Sequence, residues 1–207
     1  SFLTGKFLAG VTSIGLMLLR IFLIVGGFGL MLLGVPPTAE EIIRIFVFFV
    51  LCLVYIGFWM GLAILFSIFF KRPATSALGA LAMWVFLLIF LGLIANMVAV
   101  NLVTAERSAT AVNQEELAVR QANITNMIMR ISPGTLFEEA SSTVLSPTRR
   151  TLGPILARET VRLVPNPLPL DQSLILVWPQ LTSLIALTAL CFGLSYVIFM
   201  RREVRAT

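Results

Sequence analysis

The chain has 207 residues, of which 58% are hydrophobic and 12% charged, and its formal net charge is +5. Ordinary soluble domains hold roughly 45–50% apolar and 25% charged residues, so a chain this apolar is expected to lie in a bilayer. It has no histidine and two cysteines, which removes the commonest general base and metal ligand and leaves too few thiols for a zinc site or a disulfide framework.

A helix crossing the hydrocarbon core needs about 20 apolar residues, and four stretches reach that length: 7–35, 42–70, 77–100 and 173–200. The first comes directly after Lys6 and is too long for a signal peptide, whose apolar region runs to about 15 residues. Within it stands Arg20, roughly 21 Å beyond Lys6 at about 1.5 Å per residue. Inserting an arginine there costs about 2.5–3.5 kcal/mol, so Arg20 is expected to face protein or a wet cavity. Two roles are open to it: contact with an anionic substrate or a partner helix, and a structural bond to helix carbonyls or to Asn96.

Pro36-Pro37 ends the first stretch, and Thr38 with Glu41 has the spacing of a capping box. In the second stretch Gly57 and Gly61 form a GxxxG, which lets helix backbones approach closely. Packing within the chain is its simpler use, dimerisation the other. Cys52 and Cys191 fall in predicted spans as small apolar filler. Lys71, Arg72 and Pro73 make a short turn into the third stretch, where Gly79 joins Ser76 and Ala80 on a small-residue face.

Residues 101–172 carry too much charge to cross the bilayer. Leu117, Ile124, Ile128 and Ile131 recur at helical spacing. Ser132-Pro133 ends that helix and starts another, with proline at its first position, and Thr135 with Glu138 has the spacing of a second capping box. Pro147, Gly153-Pro154 and Pro165-Asn166-Pro167 break the remainder of the segment. The segment reads as a small helical cap resting on the outer ends of the spans. Its apolar stripes fit packing on the bundle, and a substrate gate is the sharper alternative. The last stretch has Asp171 to cap it, Trp178 as an interfacial anchor and Pro179 to kink it.

Alternating crossings place Lys6, Lys71, Arg72, Arg201, Arg202 and Arg205 on one side. The other side receives Glu40, Glu41 and residues 101–172, where arginines and carboxylates are equal in number. The positive-inside rule makes the first side cytosolic, C terminus included. Because the excess charge lies at helix ends, nucleic acid is not the expected partner. No predicted span has Asp or Glu in its middle, so an intramembrane carboxylate relay lacks its parts. Gly5-Lys6 lacks the upstream glycine and the succeeding Ser or Thr of a phosphate loop. A non-catalytic chain without cofactor or metal is expected.

Three passages carry a family resemblance: "LTGKFLAG" (Leu3–Gly10), "FSIFFKRPATSALGALAMW" (Phe66–Trp84), and "SPGTLFEEASSTVLSP" (Ser132–Pro147) together with Pro169–Arg205. With them the chain resembles the membrane subunits of type-2 ATP-binding-cassette exporters, in the branch that contains the nitrous-oxide-reductase maturation permease. The resemblance implies six helices in the full protein, of which these are the last four, and a coupling helix just before Gly5 and Lys6. It also implies a separate ATPase docked on that helix, a second permease subunit in a homo- or heterodimer, and alternating access in a cell (inner or plasma) membrane. A non-transporting scaffold or accessory subunit of a larger membrane complex is the alternative, since fold likeness alone does not establish transport. The expected architecture is an all-α integral membrane protein of four transmembrane helices plus a small helical extracytosolic segment, divided as 1–100, 101–172 and 173–207.

Overall fold

A computed structural model describes residues 2–34, 38–70, 72–109, 114–145 and 169–203. Among them the regular structure is helical and includes no strand: α1 (Phe2–Leu33), α2 (Ala39–Phe69), α3 (Pro73–Val85), a π-helical turn (Phe86–Phe90), α4 (Leu91–Ala109), α5 (Gln114–Met129), α6 (Pro133–Leu145) and α7 (Leu170–Glu203). Four helical stretches are long and apolar enough to cross a membrane: Thr4–Leu32, Ala39–Phe69, Pro73–Thr104 and Leu170–Arg201. The third runs unbroken through α3, the π-turn and α4. The last three are longer than the apolar runs that mark them, because a helix must clear the headgroups as well as the hydrocarbon, about 40–45 Å in all. The end of the bundle bearing Ala39 and Leu170 is called outer, in keeping with the orientation expected from the cations.

Local chemistry sets the helix ends. The Gly34 N–H donates to Leu30 O at 3.0 Å, and Gly34 takes a φ of 65°, the left-handed stop that glycine adopts without strain. At the start of α2 the Thr38 N–H donates to Glu41 Oε2 at 2.8 Å and the Glu41 N–H to Thr38 Oγ1 at 3.3 Å, the reciprocal bonds of a capping box. Arg72 precedes α3 and Pro73 is its first residue; Lys71 lies outside the described residues. Pro133 likewise opens α6. Its fixed φ and missing N–H suit the first helical position, so the helix starts there. Thr135 and Glu138 therefore fall inside α6 rather than forming a cap, a correction to the expected second box. Pro179 lies inside α7, with the Ser183 and Thr182 hydroxyls donating to its carbonyl at 2.7 and 3.0 Å.

The bundle is built on α2. Helix α7 packs along it, α1 takes a second side, α3 meets it near Phe70, and α6 wedges against both α2 and α7. Gly57 and Gly61 lie in the α2–α7 seam. A Cβ at Gly61 would be 3.6 Å from Cys191 Cβ, and one at Gly57 would be 3.9 Å from Thr188 Cγ2. Gly79 faces the rings of Phe66 and Phe70 across the α2–α3 turn. The buried core joins Leu51 of α2, Ala140 and Val144 of α6 and Val177 of α7, with Phe48, Phe137 and Leu181 packed on it. Much of α1 and of the third span stays exposed and apolar, Leu23, Val25, Leu88 and Ile89 among them, as suits surface meeting lipid or another membrane chain.

Candidate functional site in a re-entrant hairpin

Helices α5 and α6 do not rest on the ends of the spans as the sequence suggested; they fold between them. Helix α5 runs back along α4, with Gln121 Nε2 donating to Asn96 Oδ1 at 3.3 Å and Met129 Sδ 3.8 Å from where a Cβ on Gly92 would sit. Helix α6 then returns along α2. Near its start Phe137 stacks on Tyr55 with ring centroids 4.5 Å apart and an interplanar angle of 18°. Near its end the Val144 carbonyl meets Arg44. Tyr55 lies roughly 24 Å along α2 from Ala39, and Arg44 roughly 8 Å, at about 1.5 Å per residue. The turn Arg130–Ser132 therefore reaches the mid-height of α2, and α5–α6 is a re-entrant hairpin. The physical reason is the apolar side of α6, Leu136, Ala140 and Val144, which needs a partner along its whole length. The α2–α7 groove provides one and the helix ends do not.

Irregular backbone at such depth survives only where its polar groups are satisfied. Here the chain tightens: Arg130 N–H donates to Asn126 O at 3.1 Å, Ile131 N–H to Ile128 O at 3.1 Å and Ser132 N–H to Met129 O at 2.9 Å. Ser132 and Pro133 are buried.

Two polar clusters hold the hairpin. At its tip Arg130 Nε donates to Glu139 Oε2 at 3.1 Å and to Oε1 at 3.3 Å. The Glu139 side chain is 7% exposed and that of Arg130 42%. Gln180 of α7 is buried beside them, its amide nitrogen 3.5 Å from Glu139 Oε2. Turned about, its oxygen would face the carboxylate. In the first orientation the amide oxygen faces the Leu176 and Val177 carbonyls instead, so the turned amide, donating to Leu176 O at 2.9 Å and Val177 O at 3.3 Å, is the better satisfied. At the outer end, buried Arg44 binds Glu40 Oε1 through Nη2 at 2.7 Å and Nε at 3.1 Å. Its Nη1 reaches Val144 O at 3.0 Å and Ser173 Oγ at 3.3 Å. One guanidinium thus joins α2, α6 and α7. Among the described residues no buried side-chain polar atom lacks a partner.

Sequence reasoning passed over Arg44, Arg130, Glu139 and Gln180 as site residues. Arg44 had a signal, since Glu40 stands four residues before it at helical pairing distance. Glu139 had none, because its burial depends on where α6 lies. Of the residues singled out, Gly5 and Lys6 are exposed at the start of α1. Arg20 is exposed on α1, and among the described residues no hydrogen bond or ion pair reaches it. Asn96 is engaged by Gln121 of α5 instead.

An apolar groove of about 590 Å³ lies between α1, α2 and α7, lined among others by Val11, Val54, Gly57 and Ile185, with Phe7 and Phe192 at its edge at 5.4 Å between ring centroids. Among the described residues no charged side chain lines it. Among the described residues no cluster of His, Cys, Asp or Glu has the makings of a metal site.

A family model described as "ABC-2 family transporter protein" matches residues 1–204. No curated protein and no solved structure matches the chain.

Proposed function

The chain belongs to the ABC-2 transporter family, and on that premise we propose that it is the permease subunit of an ABC-type exporter driven by a separate ATPase. The observation that carries this reading is a family match over 1–204 on a chain with four helices of membrane-crossing length. The sequence holds no phosphate loop, so hydrolysis falls to the partner. In alternating access, closure of the ATPase on nucleotide moves the coupling region beside Gly5 and Lys6, and the spans rock about a seam with a second permease subunit. Arg20, exposed on α1, faces either that second subunit or the translocation path, where an anionic group or water solvates its guanidinium. The C-terminal arginines lie in the cytosol of a cell membrane, and the hairpin enters from the extracytosolic side.

Affinity purification of the full-length chain, with identification of bound subunits, tests this reading. An ATPase that co-purifies, and whose turnover depends on this chain, is the expected result. Purification that yields only other membrane subunits points to the scaffold role and overturns the exporter reading.

A further inference from the structure

We propose that the Arg130–Glu139 pair is the latch of the re-entrant hairpin, a positioning element that holds its tip against α7 and lets go when the spans move. The opening half rests on the permease reading; the holding half does not.

The two arms of the hairpin are fastened to different parts of the bundle. Helix α5 packs on α4, whereas α6 packs on α2 and α7. The third span meets α2 through α3, near Phe70, and α4 packs on α5 rather than on α7. Any displacement of the third span relative to the α2–α7 pair is therefore delivered to the turn Arg130–Ser132. Arg130 stands in that turn and Glu139 in α6, so their bond sets the angle between the arms.

The burial of the pair is lopsided in the way a latch needs. Glu139 is held in the packed interior beside Gln180, while Arg130 is 42% exposed and is not fixed by packing on its outer side. At the far end of α6 the Arg44 bonds to Val144 O and Ser173 Oγ pin the helix to α2 and α7. Movement is thus confined to the tip. The π-helical turn Phe86–Phe90 lies in the third span just before Gly92, the residue level with Met129 at the end of α5. Such turns interrupt the regular helix and are frequent at functional sites, and this one stands at the height where the arm would swing.

The test reads access to the tip. Ser132, 5% exposed in the turn, is replaced by Ser132→Cys in a full-length chain carrying Cys52→Ala and Cys191→Ala, reconstituted in nanodiscs. The rate of its reaction with a small charged methanethiosulfonate is measured. Glu139→Gln or Arg130→Gln should raise that rate at least tenfold. The charge exchange Arg130→Glu with Glu139→Arg should bring it back towards the parent rate, because the Gln180 amide can turn its oxygen to an arginine. Melting temperature is tracked in parallel. Rates unchanged by both single variants overturn the proposal. So does a rise that merely parallels a fall in melting temperature and that the exchange does not reverse, since the pair is then only a staple. In a complex with the ATPase, trapping with nucleotide should speed the parent reaction; a rate indifferent to nucleotide overturns the opening half. Failure of the permease reading looks different: no ATPase co-purifies, and the nucleotide-free result stands.

Discussion

Arg44 does at one residue what the connections between helices cannot, tying three helices at the outer end of the bundle. Its guanidinium is buried and every bond it makes is charge-assisted, and a hydrogen bond to a charged group contributes about 1.5–3 kcal/mol. Arg44→Ala strips Val144 O and Ser173 Oγ of their donor and should cost about 2–4 kcal/mol, somewhat less than the roughly 3–5 kcal/mol of a fully buried broken pair, because Glu40 is 53% exposed and water recovers it. Arg44→Lys keeps a charge but loses the planar fork, and should fall between the two. Thermal melting in detergent reads both, and a loss below about 0.5 kcal/mol, the range of ordinary surface substitutions, would show that the clamp is ornamental. Arg20 makes the opposite case, a cation with no described partner. Arg20→Leu removes an insertion cost and should reach the membrane at least as well as the parent, while subunit assembly or transport falls and Arg20→Lys restores part of it. Full assembly and activity in Arg20→Leu would dismiss a functional role.

Among the elements, α2 and α7 show how glycine spacing becomes geometry. The space over Gly61 ends at 3.6 Å on Cys191 Cβ and at 3.8 Å on the Thr188 carbonyl. That is room for a methyl group and no more. Gly61→Ala should leave the fold within about 0.5 kcal/mol of the parent, while Gly61→Leu overpacks the seam at about 1–3 kcal/mol. Comparing the melting temperatures of the two variants checks the seam directly, and equal behaviour would mean that α2 and α7 are not held so close. The α5–α6 hairpin teaches a different lesson. Its apolar stripes were legible in the sequence at helical spacing, and so was the break at Ser132-Pro133. Its depth was not, because a stripe states that a face must be covered and is silent on what covers it. Glu138 and Glu139 are adjacent carboxylates of one type, yet one is exposed and the other buried. Only the path of α6 past Gln180 separates them.

At the scale of the molecule the cation asymmetry makes a topological claim. Single cysteines at Thr75, on the α3 side of the basic turn, and at Ser108, near the end of α4, should report opposite sides in intact cells. Label at Ser108 and none at Thr75 is the expected pattern, and the reverse would turn the whole bundle over. The amino-acid sequence by itself determined the class of molecule and its crossings. Composition excludes a soluble core, apolar run length counts the spans, and prolines, glycines and capping residues end them, all through interactions within a few residues of chain or with the bilayer as solvent. The tertiary structure alone decided which polar residues matter together. Arg44 with Val144 and Ser173, and Glu139 with Gln180, are pairings across distant parts of the chain. Their energy comes from shared burial, and burial is a property of packed helices that no single stretch of sequence carries.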